Sequence, residues 1–145
     1  STVAQALCEM WKTVLGMDIT PRGVTEQELW AALRSGSYTV AGVELTGNGN
    51  DAECFLSTWT SHDPDNVARY ENSAYDTLMA IIANAPDGTA RMGCLHDAED
   101  LLISDYILAP LYTSGTAWEV RDTLTGAFRD ARGWFGFSNV ITRTA

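Results

Sequence analysis

The sequence predicts an α/β domain in which helices pack on a mixed β-sheet. Three observations predict it. Apolar stripes of helical period alternate with short β-leaning stretches along the chain. A length of 145 residues, 46% of them hydrophobic, suits one core of ordinary size. No stretch reads as a linker, an internal repeat or a low-complexity tract, so residues 1–145 are taken as a single domain.

The elements follow in order. Val3, Leu7, Met10, Trp11, Val14 and Leu15 fall on one helical stripe, and Gly16 stops that helix in a left-handed position. Residues 17–20 read as a short strand closed by Pro21. Thr25 with Glu28 is a capping box that opens a second helix, with Leu29, Trp30 and Leu33 inward and Gly36 at its end. Residues 38–45 lean to β, with Tyr38, Val40, Val43 and Leu45 apolar. Gly47-Asn48-Gly49-Asn50-Asp51 is the most turn-rich stretch, and Asp51 is placed to cap a short third helix carrying Phe55, Leu56 and Trp59. After a polar loop at 61–66, Ser73 with Asp76 reads as a further capping box, opening a helix with Leu78, Ile81 and Ile82 inward. Asp87-Gly88-Thr89 starts a long helix through Met92, Leu95, Leu102 and Ile103. Residues 107–112 and 118–120 read as strands, and 126–145 has no clear pattern.

Composition excludes several partners. Nine basic against 19 acidic side chains give a formal charge of −10, with Lys12 the single lysine. Nucleic acid is bound by basic groups that displace counterions, and anionic lipid attracts the same groups, so neither is expected. No apolar run approaches the roughly 18 residues that span a bilayer. No leader peptide is visible, and Ser1 stands where an initiator methionine would be, so we expect a chain taken from something longer. Cys8, Cys54 and Cys94 form no Cys-x-x-Cys pair, and three buried thiols are the favoured reading.

No catalytic or metal constellation rises from the residues. His62 and His96 lack metal-ligand spacing, and a zinc site needs about four convergent ligands. Ser61-His62-Asp63 names triad residues consecutively, but neighbours in a loop point apart, and no Gly-x-Ser-x-Gly turn is present. Asp63, Asp65 and Asn66 hint at a calcium loop, yet its glycine and closing glutamate are missing. The glycines at 47 and 49 suit a plain tight turn, or a loop whose backbone closely approaches a ligand. Five tryptophans are many for this length; Trp11 and Trp30 read as core, and Trp59 and Trp118 as core or cleft lining.

Several motifs, in one order, carry a resemblance. Leu7 through Leu15-Gly16-Met17-Asp18-Ile19 is similar to a helix ending "Leu-Gly-Ile-x-Val". Tyr38-Thr39-Val40-Ala41 up to Asp51-Ala52-Glu53-Cys54-Phe55-Leu56 is similar to "Tyr-Asp-x-Ala-x-x-Gly-Trp-x-x-Asp-Tyr-x-Asp-Pro-x-x-Phe-Leu". Asn66 and Tyr70-Glu71-Asn72-Ser73-Ala74-Tyr75-Asp76-Thr77-Leu78 match "Asn-x-x-x-Tyr-x-Asn-Pro-x-Tyr-Asp-x-Leu". Arg91, Leu95, Ala98-Glu99 and Ala109-Pro110-Leu111-Tyr112 match "Arg-x-x-x-Leu-x-x-Ala-Glu" and "Ile-Pro-Leu-Tyr". The chain thus resembles, from about Thr2 to Gly126, the C-terminal lobe of the family 5 extracellular solute-binding proteins, the peptide and nickel receptors of ABC importers.

The resemblance implies one lobe of a type II periplasmic-binding-protein fold, with the N-terminal lobe absent from this chain. It implies a non-enzymatic receptor, periplasmic or at the extracellular face and lipid-anchored in Gram-positive bacteria, that delivers peptides or small solutes to a membrane permease. It brings no cofactor, no metal and no catalytic residue. A sensor or interaction module built on the same lobe is the alternative. Cleft-facing positions fall on Leu45, Thr46, Asn48, Asp65 and Asn66. The aspartate that in peptide receptors holds the ligand's α-ammonium falls on Asn48, the following tyrosine on Gly49, and Ala52 replaces a proline. Ligands that lack a free α-amino group are therefore expected.

Overall fold

Gly16 ends the first helix as its left-handed conformation requires. Helix α1 spans Thr2–Leu15, and at φ +68° Gly16 turns its own N–H and that of Met17 back onto the carbonyls of Lys12 and Trp11. The computed structural model describes residues 2–47, 49–115, 119–130 and 133–142. They form two compact units, Ser1–Glu44 and Leu45–Ala145, which are taken in turn.

In the first unit, α2 spans Glu26–Ser35, with the Thr25–Glu28 capping box formed in both directions and Gly36 left-handed at φ 73°. Ser37 N–H reaches back to Ala32 O and Gly36 N–H to Leu33 O, closing the helix end. Leu33 is buried, while Leu29 and Trp30 are half-buried. The stripe on α1 is present but uncovered: none of its residues is buried, Val14 is 76% exposed, and Trp11 is half-buried rather than core. Residues 17–20 and 38–44 are irregular rather than strands. A strand persists only where a neighbour takes up its hydrogen bonds, and these segments enter no pairing among the described residues.

The second unit holds the core. Helix α3 spans Glu53–Leu56 and runs into a single 3₁₀ turn, Ser57–Trp59. Helix α4 spans Ser73–Asn84, and α5 spans Thr89–Ser104. Tyr75, Met79 and Ile82 of α4 meet Leu95, Ala98 and Leu102 of α5 in one cluster, with Leu56, Trp59 and Tyr70 completing it. These positions recur at the three- and four-residue steps of a helical face. Ile81, expected inward beside Ile82, sits one residue off that face and is 49% exposed. Trp59 is core, the favoured of its two readings.

The cap of α4 also differs from expectation. Asn72, not Ser73, accepts the N–H groups of Ala74 and Tyr75. Asp76, the expected partner of Ser73, instead accepts the N–H of Ser61 at 2.9 Å. Asn72 thereby ties the start of α4 to the end of α5: its Nδ2 and the Tyr70 hydroxyl both donate to one oxygen of Asp105, at 3.0 and 2.7 Å.

Beyond α5, residues 107–112 are irregular, because they too find no ladder partner; Trp118 lies outside the described residues. Strand β1 (Leu124–Thr125) pairs antiparallel with β4 (Ile141–Thr142), and β2 (Phe128–Arg129) with β3 (Phe135–Gly136). Gly126, at φ +89°, lies against the Asn139 carbonyl with no room for a Cβ. The architecture is α/β as expected, but its ladders are short antiparallel pairs near the C-terminal end.

Candidate functional site

The turn-rich segment at 45–51 is fastened to the helical core at several points. Gly47 lies on the ring of Phe55, where a Cβ would stand 2.6 Å from two ring carbons. Gly49 approaches Cys54 less closely: a Cβ there would meet its Sγ at 3.3 Å. At Gly47 a side chain would displace the Phe55 ring, while at Gly49 it would be tight against α3. Asp51 ends the segment; the cap position of α3 falls on Ala52 rather than on Asp51 as expected, and Asp51 meets the helix from one residue further out, its Oδ1 accepting the N–H of Glu53 at 2.8 Å.

The strongest fastening comes from α5. Arg91 is buried, and its guanidinium straddles the Asp51 carboxylate, Nη1 to Oδ2 at 2.9 Å and Nη2 to Oδ1 at 3.1 Å. Nη2 also donates to Glu53 at 2.7 Å, and Nε donates to the Ile82 carbonyl near the end of α4. Such a two-pronged pair fixes direction as well as distance. The Arg91 bonds, followed by the Glu53 N–H, hold the Asp51 carboxyl below the usual carboxylate range. The Asp51 bond in turn holds Arg91 above its ordinary value. No local chemical pattern in the sequence marks Arg91. Its signal is position: a lone basic residue in step with Leu95, Ala98 and Leu102 on a buried face.

Of the expected ligand contacts, Leu45 and Thr46 lie exposed on the fastened segment. Asn48 lies outside the described residues. Asp65 and Asn66 belong to another loop. Asp65 is exposed, its N–H bonded to Asp63 Oδ1 in a local turn. Asn66 is half-buried and holds that loop together: its Nδ2 donates to the carbonyls of Thr60 and Tyr70, and its Oδ1 accepts the Tyr70 N–H. Cys8, Cys54 and Cys94 are free and half-buried. Among the described residues no three His, Cys, Asp or Glu side chains gather to hold a metal ion.

These carboxylates predict the acid behaviour. Asp51 is lowered chiefly by Arg91, Asp76 by the Ser61 N–H and Asp105 by the Tyr70 hydroxyl. A group depressed in the folded state adds stability that is complete above its unfolded value, about 3.9, and is lost as pH falls through its folded value. The urea midpoint is therefore expected to hold steady from neutrality to about pH 5 and to fall below about pH 4. Asp51→Asn should give a shallower acid fall, and an unchanged acid slope would show that this pair carries none of it.

Likeness to a solved structure places the chain in the class of type II periplasmic-binding folds. One solved structure that it resembles is MppA, the periplasmic murein tripeptide-binding protein, in its unliganded open form: TM-score 0.67, 27% identity, 72% of this chain and 20% of that one. The chain is a homologue of the family 5 solute-binding proteins. It is 28% identical over 110 residues to the periplasmic murein peptide-binding protein MppA of Escherichia coli, a match covering 76% of this chain. It is 30% identical over 109 residues, 75% of this chain, to the probable deoxycholate-binding periplasmic protein YgiS of the same organism. Against the oligopeptide-binding protein OppA of Bacillus subtilis the match is 28% over 138 residues, 94% of this chain and 25% of that protein. The chain spans about a fifth of the length of the first two. No protein-family model matches it.

Proposed function

We propose that this chain is the C-terminal lobe of a two-lobed substrate-binding receptor that serves an ABC importer. Peptides or similar small solutes would be held between this lobe and an N-terminal one, then delivered to a membrane permease. The observation that carries the reading is the match, in sequence and in structure, to periplasmic binding proteins. Closure follows from ligand contacts made in both lobes, which favour the closed state over the open one. Leu45, Thr46, Asn48, Asp65 and Asn66 are the cleft contacts proposed for this lobe. The receptor is periplasmic, or lipid-anchored where there is no outer membrane. A sensor using the same lobe without transport is the second class, and uptake separates the two.

The ligand class is narrowed by two residues, one amide and one acid. Asn48 offers a neutral amide where peptide receptors place the carboxylate that binds an α-ammonium. Asp51, the nearest acid in the segment, already has both oxygens in the grip of Arg91. A charge-assisted bond of around 1.5–3 kcal/mol is thus missing from the cleft loop. One relative is named for deoxycholate, a ligand with no amino group. The complete receptor is expected to bind a tripeptide and its N-acetylated twin within about tenfold of each other, and deletion of its gene to abolish uptake of both. A hundredfold preference for the free amine would show another acid in that role, and unchanged uptake would favour the sensor.

A further inference from the structure

Arg91 is the one buried charged side chain among the described residues, and a buried guanidinium is unfavourable unless its donors are met. Here they make four hydrogen bonds, three of them to Asp51 and Glu53. Apolar packing would close the same space without fixing the direction of the chain, whereas a planar fork on a carboxylate does fix it. The fork acts on the last residue of the 45–51 segment, whose Gly47 and Gly49 already lie against α3.

We propose that Arg91 is a positioning residue for ligand recognition: from the core it sets the path of residues 45–51, and so the presentation of Leu45 and Thr46, without touching the ligand. The inference rests on the receptor reading for its purpose, but its geometry does not depend on any ligand. Lysine keeps the charge of Arg91 and loses the fork, so Arg91→Lys separates positioning from charge.

The test is amide hydrogen exchange on the 145-residue chain, with no ligand present. In Arg91→Lys, protection at Glu53 and Cys54, whose N–H groups donate to Asp51 Oδ1 and to the Asp51 carbonyl, is expected to fall about tenfold or more while Tyr75, Met79 and Leu102 keep theirs. Asp51→Asn, which breaks the same pair from the loop side, should give the same local pattern and decides the matter should the lysine variant not fold. Loop protection unchanged in both variants would overturn the proposal. So would a loss at Glu53 and Cys54 matched by an equal loss in α4 and α5, because Arg91 would then support the core as a whole. Failure of the receptor reading would appear elsewhere, as a complete receptor that binds no solute, and would leave this exchange pattern intact.

Discussion

Replacing Tyr75 with alanine is expected to unfold most of the unit from Leu45 onward at room temperature. The side chain is fully buried, at 0% exposure, where α4 meets α5 and the turn after α3. Its ring meets Tyr70 edge-on, with centroids 5.4 Å apart, and its hydroxyl donates to the Leu56 carbonyl at 2.6 Å. Large-to-small changes of buried aromatics remove about 3–5 kcal/mol through lost transfer energy and the cavity left behind. The Leu56 carbonyl would also lose its partner, at a further penalty of about 1–3 kcal/mol. A domain holds only about 5–15 kcal/mol in all, so the sum equals the whole stability of a domain at the lower end of that range. Tyr75→Phe isolates the hydroxyl and should lower stability by about 1–3 kcal/mol with the fold intact. Urea unfolding followed by circular dichroism measures both. A loss below about 1 kcal/mol for the alanine variant would mean that the site collapses around the cavity and that Tyr75 is not central.

Local signals in the sequence carried the helices well, because caps and stops act within a few residues. The Thr25–Glu28 box and the left-handed Gly16 and Gly36 all formed as read. Asn72 displaced Ser73 as the cap of α4 because Asp76 had a use that only the fold reveals, the N–H of Ser61, fifteen residues away. Strands were less legible. Residues 17–20, 38–45 and 107–112 have β-leaning composition, but a strand is a relation between segments, and these enter no ladder among the described residues. The inward face of α4 differs from expectation by one residue at Ile81, since an apolar pair such as Ile81–Ile82 fits two adjacent registers and the facing helix chooses between them. For the site, the sequence placed the glycine-rich segment and set Asp51 at the start of α3, one residue before the actual cap position at Ala52. It concealed the clamp, because Arg91 lies 40 positions from Asp51 and no local pattern links them.

Half of a cleft binds far more weakly than the whole, and this sets the second large effect. A micromolar dissociation constant corresponds to about 8 kcal/mol, and association itself carries a loss of translational and rotational freedom of about 4 kcal/mol or more. Contacts drawn from one lobe, on an open surface with Leu45 and Thr46 exposed to water, supply part of the gain and incur the whole of that loss. The most direct measurement is calorimetric titration of a panel of tri- to pentapeptides into the complete two-lobed receptor and, in parallel, into the 145-residue chain. The account predicts micromolar or tighter binding of at least one peptide by the receptor, and no binding tighter than about millimolar by the chain alone. Micromolar binding by the chain alone, or a complete receptor that binds none of the panel, would contradict it.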